Sequence, residues 1–439
     1  MISAALNVLD PPAIVKILAV FAGILLLTRM RMPLGAAVVF GGVGIDLWSG
    51  RTPGQVLFDV LGALSTLELW LFVIVTALIM DLGRFLANPE QSAVLLGAIQ
   101  RWGGQHGRAW GLMAMPSVIG LIPMPAGALV SAPLVAQASI GTSRDEAWQT
   151  AVNYWFRHTW EYWWPLYPGV IVAMSVLPVT VWQFVAAQAV CTPLALAAGW
   201  FFIVRPHRDE LACVAPAPPA PAGSLALVIL PLGLMVACAF LLPPVVSYLS
   251  PAMASANQKL AAMLLGAMAA LLTIVIIERR RGQRHNFWKL FEKQALATSL
   301  TVGGVMFFKG LLDRSGILSL ACSDLMQSGI PPAVAVAALP LLAGLVTGIA
   351  VGFAGVSMPL VAGLMVQPGA GLSPMATVAL AYGFGYVGMM LTPLHLCLAM
   401  SRDYFHAPWG AIYRNFLPCL AVVAAYAILA FSLYSALGW

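Results

Sequence analysis

Charged residues are scarce in this chain. They make up 9% of its 439 residues, whereas hydrophobic residues make up 61%. Soluble domains carry about 25% charged residues, so the composition excludes an ordinary soluble fold. The formal net charge of +6 does not indicate a nucleic-acid partner. In a membrane protein, the positions of Lys and Arg mainly reflect the orientation of the helices across the bilayer. The composition therefore predicts a multi-pass membrane protein.

Closely spaced cysteine pairs are also lacking, and we expect no cleavable leader. The six cysteines are scattered, mostly within apolar segments, and none forms a Cys-x-x-Cys pair. We therefore expect buried thiols, with no disulfide and no cofactor. His158 and Glu161 resemble a metal pair, but no third ligand stands near them in the sequence, so we expect no metal site. Residues 1–12 lack the basic region of a signal peptide.

Long apolar runs, in contrast, recur along the whole chain. A run of about 18 or more apolar residues is typical of a helix that spans a bilayer. We predict ten such segments, near 12–29, 33–48, 66–86, 147–177, 179–204, 224–248, 257–278, 294–312, 374–400 and 408–437. The predicted fold is therefore an all-α integral membrane protein.

Two further apolar stretches, 108–140 and 331–367, are interrupted in the middle by Gly and Pro. Each half is too short to cross a hydrocarbon layer of about 30 Å. We expect each stretch to form a re-entrant hairpin that enters and leaves on the same side. The Pro residues within 147–177 and 374–400 predict a break in each of those two spans.

The same short phrases occur in both halves of the chain. "VSAPLVA" at 130–136 matches "VSMPLVA" at 356–362, and Pro165 matches Pro393 in the same order. Five predicted spans precede the linker and five follow it, so the second copy is inserted in the opposite direction. The sequence thus predicts two inverted repeats, residues 1–204 and 224–439, which is a pattern typical of secondary transporters.

The segment 205–223 between the repeats is charged and then rich in Pro and Ala, as expected of an extended linker. Six Lys or Arg residues in "ERRRGQRHNFWKLFEK" place the 279–293 loop in the cytoplasm by the positive-inside rule. The ten spans then put the linker in the cytoplasm and both termini outside. The expected location is a bacterial-type inner membrane.

The blocks "GLIPMPAGALVSAPLV", "FRHTWEYWWPLYPG", "GFAGVSMPLV" and "MLTPLHLC" resemble the ion transporter superfamily, and in particular a ten-span permease branch of it. The resemblance implies re-entrant hairpins and broken helices that move as an elevator domain against a dimeric scaffold. Relatives that move dicarboxylates with sodium carry Ser-Asn-Thr triplets at the hairpin tips. This chain has Pro-Met-Pro-Ala-Gly at 123–127 and Gly-Phe-Ala-Gly at 352–355 instead.

The densest polar cluster precedes the first predicted break. Arg157, His158 and Glu161 fall within one helical turn, and ionisable side chains inside a membrane segment are functional candidates. We expect Glu161 either to pair with Arg157 or to carry a coupling proton beside His158. An internal ion pair with a purely structural role is the alternative. Trp164 and Tyr167 form either an aromatic wall for a substrate or part of an interfacial belt.

The hairpins and the second break supply the other predicted binding residues. Ser131 and Ser357 are expected to cap the second arm of each hairpin, with Pro133 and Pro359 in its first turn. The other predicted binding residues, at the hairpin tips and the second break, are Pro125, Gly127, Gly355, Thr392 and His395.

Together these patterns predict a secondary active transporter, not an enzyme, that carries a small organic solute by alternating access. An organic anion is favoured by the cationic candidates and the free helix N-termini. Proton coupling is favoured over sodium by the ionisable cluster and the missing triplets. A sodium-coupled carboxylate transporter and a membrane-embedded enzyme stay as alternatives. The expected partners are the solute, the coupling ion, membrane lipid and a second copy of the chain.

Overall fold

The computed structural model describes residues 11–30, 32–88, 91, 94, 107–121, 123, 127–140, 145–207, 211, 225–288 and 292–439. Every regular element in these ranges is helical, as the composition predicts. Pro125 and most of the predicted 205–223 linker lie outside the described residues.

Helices of the first half are mostly short. They are α1 (Ala13–Arg29), α2 (Leu34–Trp48), α3 (Pro53–Leu64), α4 (Leu67–Ala87), α5 (Gly107–Gly120), α6 (Ala128–Ala138), α7 (Glu146–Arg157), α8 (Pro168–Val176), α9 (Val181–Gln188) and α10 (Cys191–Gly199). The last continues through a π-helical turn, Trp200–Val204, into a 3₁₀ turn, Arg205–His207.

The second half contains longer helices. They are α11 (Leu225–Leu249), α12 (Ser255–Arg280), α13 (Lys293–Ser315), α14 (Ile317–Gln327), α15 (Pro332–Thr347), α16 (Ala350–Met365), α17 (Pro374–Leu391), α18 (Leu396–Phe405) and α19 (Trp409–Leu437). Two helices, α3 and α14, were not predicted from the sequence; they are only 12 and 11 residues long.

Seven helical stretches in the described part of the chain are long and apolar enough to cross a membrane. They are Leu67–Leu86, Val181–His207, Ile229–Leu249, Ser255–Arg280, Ala295–Ser315, Pro374–Phe405 and Trp409–Leu437. The remaining apolar helices have 17 residues or fewer. These lengths and hydropathies are those of a multi-pass membrane protein.

The position of the second hairpin turn differs from the prediction. The turn lies at Gly348 and Ile349, between α15 and α16, and not at 352–355. Gly348 ends α15 with a φ of 65°, a left-handed conformation that glycine adopts without a Cβ penalty. Gly355 lies inside α16, where an added Cβ would collide with the side chain of Val305. Its lack of a side chain therefore serves helix packing.

The predicted caps at Ser131 and Ser357 are also wrong. Both serines lie inside helices, and their hydroxyls hydrogen-bond to carbonyls of the same helix or its cap. The Ser357 hydroxyl donates to the Phe353 carbonyl at 2.6 Å, the back-bonding that serine commonly makes within a helix. Pro133 and Pro359 likewise lie within α6 and α16, beyond the first turn. The cause is that both helices begin several residues earlier than the sequence indicates.

Close contacts between helix backbones hold the broken elements together. An added Cβ on Gly169 of α8 would lie 2.5 Å from the Cβ of Ala350 at the start of α16. An added Cβ on Gly120 of α5 would collide with the carbonyl of Arg157 at the end of α7. Glycine permits such approaches, as it does at many membrane helix crossings. These two contacts bring both hairpins against the first break, one on each side of it.

Candidate functional site

A cavity of about 370 Å³ lies where both hairpins and both helix breaks meet α4 and α13. Most of its wall is apolar. The lining residues are Met80, Pro123, Arg157, Glu161, Tyr167, Pro168, Gly169, Ala297, Thr298, Thr301, Ile349, Ala350, Val351, Met389, His395, Leu396 and Cys397.

Three helices begin at this cavity. Pro168 starts α8, Ala350 starts α16 and Leu396 starts α18, and all three line the wall. In the described part of the chain, the residue preceding each of these helices makes no side-chain capping bond to its first turn. The first N–H groups of a helix have no acceptor within it, and the helix dipole makes this end partially positive. The cavity therefore receives three sets of backbone donors.

A charged wall faces these helix starts. Arg157, which is 2% exposed, is the last residue of α7, and Glu161 lies in the turn that follows. The prediction that Arg157 and Glu161 lie within one turn of the same helix is wrong, because α7 ends at Arg157. The Glu161 carboxylate lies 3.8 Å from the His158 ring, Oε1 to Nε2. Both ionisable residues nevertheless line the same cavity.

Hydrogen bonds to other parts of the chain hold the turn between α7 and α8 in place. Tyr382 and Tyr386 of α17 donate their hydroxyls to the carbonyls of Glu161 and His158, each at 3.1 Å. The Trp164 indole donates to the Leu121 carbonyl at 3.1 Å, and the Tyr167 hydroxyl donates to the Gly120 carbonyl. Buried backbone carbonyls need such partners in an apolar environment. The unwound turn is therefore a fixed part of the wall.

Two histidines join the two breaks directly. The Nε2 atoms of His158 and His395 lie 3.0 Å apart. The other ring nitrogen of His158, Nδ1, lies 2.6 Å from the Tyr154 carbonyl. The Tyr154 ring packs edge-on against both imidazoles. His395 therefore occupies a defined position at the start of α18.

Cys397 is the third potential metal-ligating side chain here, which the sequence did not associate with the histidines. The ligand atoms of His158, His395 and Cys397 all lie within 4.8 Å of one another. The 3.0 Å separation of the two imidazole nitrogens is the length of an ordinary hydrogen bond. Hydrogen bonding accounts for the contact without an ion.

The structure brings together some of the predicted site residues and separates others. Arg157, Glu161, Tyr167 and His395 line the cavity, and His158 lies directly behind His395. The predicted residues that do not line the cavity are Gly127, Ser131, Trp164, Gly355, Ser357 and Thr392. Of these, Trp164 contributes through its bond to the hairpin backbone.

Sequence reasoning missed the wall that α4 and α13 supply. Met80 of α4 and the residues Ala297, Thr298 and Thr301 of α13 complete the cavity. None of the four carries a charge, and small hydroxyl or apolar residues are common in any membrane helix. No local signal distinguished them. The prolines within 147–177, in contrast, predicted a break, and the structure places the start of α8 at one of them, Pro168.

Comparison with known proteins gives one family and one fold. A family model described as "Protein of unknown function (DUF401)" matches residues 14–434. No curated protein matches the chain by sequence. The crystal structure of the YdaH transporter of Alcanivorax borkumensis is similar with a TM-score of 0.58 and 15% identity, covering 88% of this chain and 89% of that one. At this identity the likeness concerns the fold.

Proposed function

The chain belongs to the DUF401 family, and from that premise we propose that it is a secondary active transporter of a small organic anion. The observation that carries the proposal is the convergence of three uncapped helix N-termini and Arg157 on one cavity. Each helix N-terminus is equivalent to about half a positive charge and offers N–H donors to an anion. The Arg157 guanidinium adds planar donors suited to a carboxylate.

The size and lining of the cavity favour an organic anion. Its volume of about 370 Å³ is at the small end of the range of roughly 300–1,000 Å³ for small-molecule sites. Met80, Ile349, Val351 and Met389 give it apolar surface that an inorganic ion would not use. A carboxylate attached to a small carbon skeleton matches both parts of the wall.

Alternating access is the transport mechanism that fits this placement. The cavity lies between the continuous helices α4 and α13 on one side and the broken helices and hairpins on the other. We propose that the second group moves against the first as an elevator. The inverted repeats and a homodimeric scaffold, both predicted from the sequence, belong to this proposal. So does the orientation with the 279–293 loop in the cytoplasm and both termini outside.

Proton coupling is part of the same proposal. Glu161 lines the cavity that would hold the anion, and two negative charges at close range in a low-dielectric site repel strongly. A proton on Glu161 removes that repulsion, so anion and proton bind together. His158, 3.8 Å from the carboxylate, is a neighbouring group that could exchange the proton with it. Sodium coupling is the competing arrangement.

Uptake into proteoliposomes with imposed gradients tests the function. We expect labelled organic anions to accumulate when a proton gradient is imposed, and Arg157→Gln to abolish accumulation. Glu161→Gln should still exchange anion across the membrane but lose the response to the proton gradient. Uptake driven by a sodium gradient alone, with Glu161→Gln unaffected, would contradict proton coupling. No uptake of any organic anion would contradict the transport proposal itself.

A further inference from the structure

A groove of about 290 Å³ lies between α11 and α12 and shares no lining residue with the candidate site. Its apolar walls come from both helices, and two arginines lie at one end. The residues that form these parts are Leu227 and Leu230 of α11, Ile276 and Ile277 of α12, and the arginines Arg280 and Arg281. Leu227, Leu230 and Ile276 are exposed, so the groove is open on the outside of the helix pair.

The α12 wall of the groove is one face of the helix. Thr273, Ile276, Ile277 and Arg280 follow the i, i+3, i+4, i+7 spacing that places side chains on the same face. From Thr273 to Arg280 this face is about 10 Å long. The Thr273 hydroxyl donates to the Ala269 carbonyl of its own helix at 2.8 Å, which leaves the groove apolar below the arginines.

The arginines lie where a lipid headgroup would be. The helix Ser255–Arg280 is long and apolar enough to cross a membrane, so its last residues are expected at the membrane–water interface. The groove residues one or two turns earlier in the helix then lie at the level of the acyl chains. The groove therefore offers an apolar surface in the hydrocarbon layer and positive charge at the surface of that layer.

Positive charge dominates the segment that follows. Four arginines are exposed between 279 and 284, namely Arg279, Arg280, Arg281 and Arg284. The two acidic residues of the segment contact other cations. Glu278 lies 2.8 Å from Nδ1 of His285, and Glu292 lies 3.5 Å from Arg84. The carboxylates of this segment therefore do not supply an anion at the end of the groove.

Two aromatic side chains close to the arginines are also exposed. They are Phe287 and Trp288, with exposed fractions of 52% and 81%. The His285 ring, which packs edge-on against Phe287, lies 3.2 Å from Asp81 of α4 and so ties this loop to the helices. Exposed aromatic rings are typical of the headgroup level of a bilayer. Their position agrees with the depth assigned to the arginines.

We propose that the groove between α11 and α12 binds an anionic phospholipid, with an acyl chain along the groove and the phosphate at Arg280 and Arg281. Guanidinium groups form strong charge-assisted hydrogen bonds with phosphate. A basic residue at the membrane surface favours an anionic lipid by about fivefold in affinity. A second copy of the chain fits less well, because a two-fold interface here would bring the arginines of both copies to the same level of the membrane.

Three ligands test the proposal with the purified, full-length wild-type protein. Phosphatidylglycerol is anionic, phosphatidylcholine with the same acyl chains is zwitterionic, and glycerophosphoglycerol is the anionic headgroup without chains. We expect native mass spectrometry to show phosphatidylglycerol bound at least about tenfold more tightly than phosphatidylcholine. Glycerophosphoglycerol at hundredfold excess should not displace it, because the buried chain supplies much of the binding free energy.

Charge-matched variants locate the site. Arg280→Gln with Arg281→Gln should reduce the preference for phosphatidylglycerol to less than about twofold. Arg279→Gln with Arg284→Gln removes the same charge from residues that do not line the groove and should keep the wild-type preference. Leu230→Trp fills the groove without changing the charge and should weaken the binding of phosphatidylglycerol at least about tenfold. The wild-type ligand series tests the proposal if a variant does not fold.

Other results would contradict specific parts of the proposal. Equal binding of the two phospholipids by the wild type would overturn it, as would displacement by the free headgroup. An equal loss in both arginine pairs would indicate general attraction to the basic segment and no site at the groove. Unchanged binding of phosphatidylglycerol in Leu230→Trp would place the lipid elsewhere. Conversion of a dimer to a monomer in the mass spectra of Leu230→Trp would assign the groove to a second copy.

Discussion

His158 and His395 contact each other through their Nε2 atoms at 3.0 Å, across 237 positions of sequence. One lies at the end of α7 and the other at the start of α18, so the two helix breaks are joined by a single hydrogen bond. The bond also connects a backbone carbonyl, that of Tyr154, with a side chain in the cavity wall. Changes on either side of it are expected to affect both stability and ligand binding.

Replacing His158 by Leu should destabilise the protein. The change leaves the Tyr154 carbonyl and the His395 Nε2–H buried without their partner, and each unsatisfied group costs about 1–3 kcal/mol. We expect the midpoint of thermal unfolding in detergent to fall and ligand affinity to fall with it. His406→Asn is the control, because His406 is exposed and its left-handed backbone suits Asn. Equal midpoints for the two variants would contradict the structural role of the pair.

Removing the tyrosine hydroxyl that bonds to the first break should reduce stability by a smaller amount. Tyr386→Phe removes the donor to the His158 carbonyl and should lower the free energy of unfolding by about 1 kcal/mol. Tyr248→Phe is the matched control, since Tyr248 is 86% exposed. Thermal unfolding of both variants measures the difference. If the unfolding midpoint shifted by the same amount in both variants, loss of the hydrogen bond would not be the cause of the shift.

Arg157 should determine anion affinity. With Arg157→Gln the cavity keeps its three helix N-termini but loses the full positive charge, so we expect affinity for a carboxylate to fall at least about tenfold. Arg157→Lys keeps the charge without the planar pair of donors and should give an intermediate value. Calorimetric titration with a carboxylate measures both. Arg279→Gln, at an exposed position, is the control, and an equal loss there would point to a non-local electrostatic effect.

Gly169→Ala tests the crossing of α8 and α16. The new methyl group would lie 2.5 Å from the Ala350 Cβ and 2.7 Å from its carbonyl carbon, so the two helix starts must separate. We expect loss of anion binding and a destabilisation of about 1–3 kcal/mol, the usual cost of overpacking. Gly23→Ala meets nothing within 4 Å and should be neutral or slightly stabilising. Comparable ligand affinity in both variants would show that the cavity tolerates this separation.

Ser357→Ala should leave anion affinity unchanged, although the sequence associated Ser357 with binding. The hydroxyl is fully buried and bonded to the Phe353 carbonyl of its own helix, and the helical carbonyl keeps its backbone partner. Removal therefore costs no more than about 1 kcal/mol of stability. Ligand titration of this variant and of the wild type measures the two anion affinities. A tenfold loss of affinity in the variant would show that Ser357 does contribute to anion binding.

The helical fold and the positions of the helix breaks were accessible from the sequence. Apolar run length predicts segments such as 257–278, which lies within the single helix Ser255–Arg280. Proline predicts a break within 147–177, and α8 starts after that break at Pro168. The second hairpin turn was placed too late, because Gly352 and Gly355 are local turn signals that in fact permit close packing in α16. Glycine has the same signature in a turn and at a helix crossing.

The sequence by itself determined that this is a multi-pass helical membrane protein and that ionisable residues gather at the first break, because run length and the cost of buried charge are local properties. Only the tertiary structure decided that His395 and Cys397 meet His158, that Tyr386 holds the turn, and that Met80 and Thr301 complete the cavity. These contacts join positions far apart in the chain. They depend on how the helices cross, and no pattern within one segment records the geometry of a crossing.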